Sequence, residues 1–378
     1  MDSASAIKKM KIQLSLYFPE DIVEDILSRL PVEALLRFRC VSKSWYSLIG
    51  SKRFIKRHLE RSRKNRSFPY QSVLVMSKFS LKLGLCSLQS LLNRVQTEPT
   101  PIDAPTNNNG VVVVGCRNGL VCIFGNEDGG FLMWNPSTRV VRKLPQVVDQ
   151  FHRDKYTMEG PVVGWEESRD AYKVFVFLHD LKARLSTSRL YSSETDSWET
   201  FEHPPTLANI HGDGQFLNGK FHWHTLYHKD WMPIHDIRSF DSESGVFGVI
   251  ERPSDDHYSS FTIAVVENCL AMVNTDNHDS YLGGLLGVDF WGMDVWIMKE
   301  YGVRESWQKL VSVDLLQMQR ELQMQPPFVI GPDGEFLLVS ASSFLVYCPE
   351  DDKMRRPSGI ATAGPIGLHL HVQSLVSP

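Results

Sequence analysis

"FLMWNPSTRVVRKLP", residues 131–145, reads as two short strands joined by a turn. The flanking runs are rich in aromatic and β-branched side chains, and Asn-Pro-Ser-Thr between them suits a turn better than a regular element. The unit returns as "SRLYSSETDSWETFEHPP" (188–205), "IRSFDSESGVFGVIERP" (237–253), "DVWIMKEYGVRESWQKL" (294–310) and "FLVYCPEDDKMRRP" (344–357). Hairpins of a second kind lie between them: "GCRNGLVCIF", "GQFLNGKFHWH", "VVENCLAMVN" and "IGPDGEFLLVS". The turn centres are spaced by about 50–60 residues, the length of a four-stranded blade of a kelch-like propeller. Blades closed into a ring also dispose of exposed sheet edges. Five blades are countable and a sixth would draw on residues 72–95, so the blade number stays open. The spacing predicts an all-β domain over 72–378, with 97–110 as a loop because of its prolines and asparagines, and with "VDLLQMQRELQMQ" (313–325) as the one helical candidate.

The front of the chain is of another kind. Residues 1–66 carry 15 Lys+Arg against 7 Asp+Glu, a net of +8, and the remainder nets −12, which sum to the overall −4. In "FPEDIVEDILSRLP" (18–31), Ile22, Val23, Ile26, Leu27 and Leu30 fall within an arc of about 140° at helical spacing, opposite Asp21, Glu24, Asp25, Ser28 and Arg29. Pro19 suits the helix start, and Pro31 ends this helix and opens the next. In "PVEALLRFRCV", Ala34, Leu35, Phe38 and Val41 cover one side and Val32, Leu36 and Cys40 much of another, so this helix is apolar around most of its circumference. Trp45, Leu48 and Ile49 mark a third short helix. A module this small is marginal alone, and each large apolar side chain left in water forfeits about 1.5–3 kcal/mol. Another protein or the following domain must cover part of that surface, and the residues leave both options open.

These residues carry a resemblance. Leu16 to Ile55, with the P-E-D-I opening, the I-L-S-R-L-P join, the L-L-R-F-R-C-V-S-K-S-W core and the L-I ending, resembles an F-box, the helical module by which substrate receptors of SCF-type cullin–RING ubiquitin ligases dock onto the Skp adaptor. Phe18 and Tyr46 depart from the residues usual in that family. The resemblance implies that Pro19, Ile22, Ile26, Leu27, Leu30, Pro31, Leu35, Phe38, Val41 and Trp45 divide between adaptor contact and the module's own core. The segments "RNGLVCI", "WNPSTRVVRKLP", "DAYKVF", "LNGKFHWHT", "RSFDSESGVFGVIERP" and "MDVWIMKEYGVRESWQKL" similarly resemble, in order, the F-box-associated kelch-related β domain of a large plant family. "VYCPEDD" departs from its usual Tyr-Asp turn.

Other chemistry finds less footing. "SKRFIKRHLERSRKNR" holds eight Lys+Arg and one Glu between residues 52 and 66. It reads as a nuclear-import or nucleic-acid patch, or as a solvated helix with Phe54, Ile55, His58 and Leu59 turned inward, which is the reading adopted. "GQFLNGKF" (214–221) matches the spacing of a phosphate loop, but Phe221 stands where Ser or Thr would hold magnesium and a strand follows instead of a helix. It reads as a hairpin with Asn218-Gly219 at the tip. His222, His224 and His228 lack a carboxylate or thiol at fitting distance for a metal site. The six cysteines form no C-x-x-C pair, which argues for reduced thiols of the cell interior, and no apolar run approaches a spanning helix.

The reading is a small all-α F-box module ahead of an all-β kelch-like propeller: tail 1–14, F-box 15–60, basic linker 61–71, β domain 72–378. The implied function is substrate recognition for an SCF ubiquitin ligase in cytoplasm or nucleus. Its partners would be the Skp adaptor, through it the cullin–RING ligase, and an unknown target protein, with no nucleic acid, membrane, metal or cofactor and no catalytic residue of its own. The alternatives are a non-ubiquitylating F-box scaffold, or a carbohydrate-binding or enzymatic propeller carrying an F-box. Most tryptophans recur at similar points of the repeat and read as blade core. Trp231 in "YHKDWMP" and Trp291 in "DFWGMD" lie off the repeat and are the candidates for target contact.

Overall fold

The computed structural model describes residues 19–64, 71–77, 83–93, 98–106, 111–125, 130–148, 155–202, 210–253, 261–277, 291–314, 325–330, 334–339, 344–356 and 365–378. Helices α1 (Glu20–Leu27), α2 (Val32–Phe38), α3 (Lys43–Ile49) and α4 (Lys52–Lys64) come first. Pro19 and Pro31 stand immediately before α1 and α2, and the Ser42 hydroxyl caps α3 by accepting from the Trp45 N–H at 3.1 Å. The last basic turn belongs to α4, which runs on to Lys64, so the stretch expected as a linker from residue 61 is helical at its start.

Among the described residues, the chain then forms six four-stranded antiparallel sheets. Strands β1 (Gln71–Ser77), β2 (Leu83–Ser87) and β3 (Thr100–Ile102) belong to the first, with the short helix α5 (Leu88–Leu92) between β2 and β3. The second sheet comprises β4 (Val111–Arg117), β5 (Leu120–Gly125), β6 (Gly130–Asn135) and β7 (Val140–Lys143). The third comprises β8 (Tyr156–Glu166), β9 (Ala171–Asp180), β10 (Leu185–Ser192) and β11 (Ser197–Glu202). In the fourth are β12 (Ile210–Leu217), β13 (Lys220–Lys229), β14 (Met232–Asp241) and β15 (Phe247–Ile250). The fifth holds β16 (Phe261–Val266), β17 (Cys269–Asn277), β18 (Trp291–Met298) and β19 (Trp307–Asp314), and the sixth β20 (Gln325–Ile330), β21 (Phe336–Val339), β22 (Phe344–Cys348) and β23 (Lys353–Arg355). Strand β24 (Pro365–Val372) returns to pair with β1, from Gln71 opposite Val372 to Ser77 opposite Pro365, and completes the first sheet.

This is a six-bladed propeller, which settles the open blade number. The sixth blade escaped the sequence count because its innermost strand lies nearly 300 residues from the other three. Apolar cores fill the seams between successive blades. Phe175, Phe177, Phe216, Phe221, Trp223 and Phe240 fill one of them, and Val73, Cys86, Leu337, Phe344 and Val346 close the ring between its last and first blades. The proline-rich stretch expected as a loop supplies β3 at the outer edge of the first blade, where Pro101 sits without interrupting an interior ladder. Of the helical candidate 313–325, Val313 and Asp314 continue β19 and Gln325 begins β20; the rest lies outside the described residues.

The repeat's turn chemistry recurs in the structure. Tyr191 donates its hydroxyl hydrogen to Asp196 at 2.8 Å, and Tyr347 does the same to Asp352 at 2.9 Å, with both aspartates at positive φ. The divergent "VYCPEDD" thus makes the same clip as its counterpart. Indole N–H groups donate to carbonyls of the preceding blade: Trp198 to Pro145 and Trp307 to Glu251, at 2.8 and 2.9 Å.

In each blade the turns after the first and third strands lie at one end and the turn after the second at the other. The helices sit on the first of these ends. Arg63 reaches Asn118 in the β4–β5 turn at 3.4 Å, and the segment following β24 wedges between helices and propeller. Leu375 enters the core of Leu27, Val32, Leu35, Ile49 and Phe54, while Val376 packs on the seam between the second and third blades. Asn135, fully buried, holds this segment by donating its amide to the carbonyls of Ser374 and Val376 at 3.0 and 2.7 Å, and its side-chain oxygen accepts from the Ser137 N–H at 2.8 Å. Gly119, at φ +80°, makes room: a Cβ there would stand 2.5 Å from the Val372 carbonyl oxygen.

Leu375→Ala removes a core side chain of the helical module and is expected to cost about 2–3 kcal/mol. Asn135→Ala leaves two carbonyls short of a donor and is expected to cost about 2 kcal/mol. Calorimetry of either variant should show the helical module melting ahead of the propeller; unchanged, single-transition melting would refute the wedge's role.

Candidate functional site

The apolar arc of α1 is split between two environments. Leu27 is fully buried and Val23 and Leu30 half-buried against α2 and α4, whereas Ile22 and Ile26, one turn apart on the same stripe, remain 46% and 50% exposed. In α2, Val32 and Leu35 are buried and Leu36 and Phe38 half-buried, and Trp45 packs edge-on against Phe38 with ring centroids 5.6 Å apart. Val41 stays 62% exposed, and Tyr46 lies under the Arg39 guanidinium at 5.0 Å with its ring largely in solvent. Of the residues that the sequence could not divide, the structure therefore puts Leu27 and Leu35 in the module's core, leaves Leu30, Phe38 and Trp45 at its margin, and exposes Pro19, Ile22, Ile26, Pro31 and Val41. The propeller's wedge covers one part of the surplus apolar surface, and the rest faces solvent.

The polar side of α1 engages three arginines of the basic run. Glu24, buried, pairs with Arg53 and, at 3.2 Å, with Arg57; Asp25 pairs with Arg29, Arg57 and Arg61 at 2.6, 3.1 and 2.9 Å. Hydrogen bonds from Arg61 and Arg29 hold the Asp25 carboxyl below the usual carboxylate range. Phe54, His58 and Leu59 turn inward; His58 Nε2 donates to the Leu30 carbonyl at 2.9 Å, and burial depresses the imidazole's pKa. The arginines spaced four apart on α4 are thus engaged in clamping α1.

The motifs weighed as chemistry are structural turns and cores. Asn218 and Gly219, at φ +51° and +75°, close the β12–β13 hairpin. His222 Nε2 lies 2.6 Å from the Tyr301 hydroxyl, with burial pushing its pKa down to about 4, and His224 stacks on His235. Among the described residues, no group of three or more His, Cys, Asp or Glu is arranged to hold a metal ion, and no helix is long and apolar enough to cross a membrane.

On the propeller end away from the helices, the β13–β14 turn lifts Trp231 into solvent, 97% exposed. Trp291 begins β18, opposite Asn277, so its backbone lies at the same end of the fifth blade; its side chain lies outside what is described. Their position off the repeat pointed to these two tryptophans, but that they share the end remote from the helices depends on strand direction and blade closure.

Comparison with known proteins matches residues 72–372 to the family model of the F-box associated beta propeller domain and residues 16–57 to that of the F-box domain. An F-box/kelch-repeat protein of Arabidopsis thaliana is 28% identical over 95% of this chain and 95% of its own length, and F-box protein CPR1 of the same plant is 27% identical over 86% of this chain and 80% of its own. The crystal structure of TolB from Acinetobacter baumannii superposes with a TM-score of 0.48 at 8% identity, over 85% of this chain and 73% of that one.

The buried and surface ion pairs of the helices should behave differently. Glu24→Ala leaves Arg53 and Arg57 without their shared carboxylate and is expected to lower stability by about 1–2 kcal/mol. Glu33→Ala, which breaks the exposed pair with Arg37, is expected to change it by less than about 0.5 kcal/mol. Urea midpoints of the two variants test the contrast, and equal effects would contradict it.

Proposed function

Because the chain belongs to the F-box proteins that carry an F-box associated beta propeller domain, we propose that it is the substrate-recognition subunit of an SCF ubiquitin ligase. The helical module docks on a Skp-type adaptor and through it on the cullin–RING ligase, and the propeller holds a target protein for ubiquitination and degradation. The observation that carries the reading is the exposed stripe of Ile22 and Ile26, with Val41 beyond it, on a module whose core of Leu27, Val32, Leu35, Ile49 and Phe54 is already packed with Leu375. Apolar side chains kept in solvent on a packed scaffold are the signature of a face that another protein covers.

In this role the chain is non-catalytic and acts by proximity. Holding the target beside a charged ubiquitin-conjugating enzyme raises the effective concentration of its lysines around the reactive thioester. Such a device works best when the two binding ends keep a fixed separation, and the wedge of Leu375 and Val376 supports that by tying helices and propeller into one packed body. Cytoplasm and nucleus are the compartments in which this reading places it.

Leu35, buried in the module's core, is a poor site for testing adaptor contact, because an acid there would unfold the module. Ile22→Asp with Ile26→Asp puts charges on the exposed stripe instead. Co-purification with a co-expressed Skp-type adaptor is expected to fall at least about 30-fold, since central apolar contacts each carry about 2 kcal/mol or more, while the melting temperature stays within a few degrees of wild type. Undiminished adaptor binding by the folded variant would refute the proposal.

A further inference from the structure

Trp231 occupies a backbone position that disfavours it. Asp230 and Trp231 form the two-residue turn between β13 and β14, with Lys229 opposite Met232, and both adopt left-handed conformations at φ +51° and +68°. Such a turn favours Asn-Gly, as at Asn218-Gly219 on the other end of β13, and a bulky residue there is strained. The fold gains nothing in return. The indoles of Trp198, Trp223 and Trp307 pack into seams and donate to carbonyls, whereas that of Trp231 joins no apolar core and is almost wholly in water. Strain held at an exposed aromatic side chain points to a use outside the fold.

Its surroundings specify that use. The adjacent third blade presents the β9–β10 turn at the same end, where Leu181 and Leu185 are exposed beside Lys182 and Arg184. Met232 and Lys229 add an apolar and a basic group next to Trp231. The one carboxylate of the β9–β10 turn is consumed internally: Asp180 accepts from the N–H groups of Lys182 and Ala183 at 3.0 and 2.8 Å and faces Lys155 at 3.7 Å. Lys182, Arg184 and Lys229 therefore stand against Asp230 alone on these two tips.

We infer that the tips 181–185 and 229–232 form one docking surface for an acidic segment of the target protein, in which an apolar side chain packs on Trp231, Leu181 and Leu185 while flanking carboxylates meet Lys182, Arg184 and Lys229. The inference rests on the receptor reading and places target contact on the face opposite the helices, so that adaptor and target bind at the two ends of one rigid body.

The test uses the full chain bound to its adaptor and a phage-displayed library of random dodecapeptides as the probe. Selected peptides should be enriched in Asp and Glu around an aromatic or aliphatic residue, and salt should weaken their binding. Trp231→Gly, which suits the left-handed turn, should leave the melting temperature equal or higher and cut affinity for those peptides about 30-fold or more. Lys182→Glu with Arg184→Glu and Lys229→Glu should reverse the preference toward basic peptides. No enrichment, enrichment of basic peptides by the unmodified chain, or equal binding by Trp231→Gly would each overturn the inference. Adaptor co-purification, read on the same samples, is independent of these tips; its failure would count against the receptor reading and not against the docking surface.

Discussion

The pairing of β24 with β1 is the constraint on which the rest of the molecule depends. It brings a strand from the end of the chain into the first blade and so closes the ring of sheets. Because β24 ends at the same end of the first blade where β1 begins, the residues after Val372 emerge beside Gln71, whose side-chain amide donates to the Ser62 carbonyl on α4. The segment 373–378 is thereby delivered to the helices, where Leu375 completes a core that α1 to α4 leave unfinished. The sequence reading required that something cover the surplus apolar surface of α2. The ring closure supplies part of that cover from the opposite terminus of the chain.

This division explains why a small helical module can be both stable and sticky. The stripe of Leu27 and the residues around Leu35 are satisfied from within and by Leu375, and Glu24 and Asp25 are clamped by arginines of α4. Stability supplied from these sides frees Ile22, Ile26 and Val41 from any structural duty. Burial of the exposed half of each, about 1 kcal/mol per residue, then remains available to a partner.

What was legible in the sequence was whatever repeats or has local periodicity. The apolar spacing from Ile22 to Leu30 marks α1, the prolines mark its ends, and the 50–60-residue recurrence of turn chemistry marks the blades. What was not legible depends on long-range pairing. Strand β24 carries no turn signal that ties it to residues 71–102, so the sixth blade could only be left open. Leu27 and Ile26 are neighbours with the same chemistry, and nothing in a periodic pattern tells which faces α2 and which faces water; that depends on where α4 and Leu375 lie. The arginines of α4 show why the solvated-helix reading is preferred to a nucleic-acid patch. As a run they suggest nucleic acid, but the spacing of four between Arg53, Arg57 and Arg61 matches the two adjacent acids of α1, and the structure pairs these three with Glu24 and Asp25.

Strand direction carries the functional geometry further than composition does. In a propeller every second-to-third strand turn points to one end, and every first-to-second turn to the other. Once Arg63 and the 373–378 segment fix the helices at the Asn118 end, the turn bearing Trp231 must lie on the far end, whatever its own side chains do. The exposed isoleucines of α1 and the exposed tryptophan of the fourth blade are therefore separated by the height of a β-sheet that cannot flex without opening its seams. A protein that must hold one partner at a set distance from another needs such a spacer, and six sheets sharing buried seams, joined to the helices by a buried asparagine and a leucine, supply one.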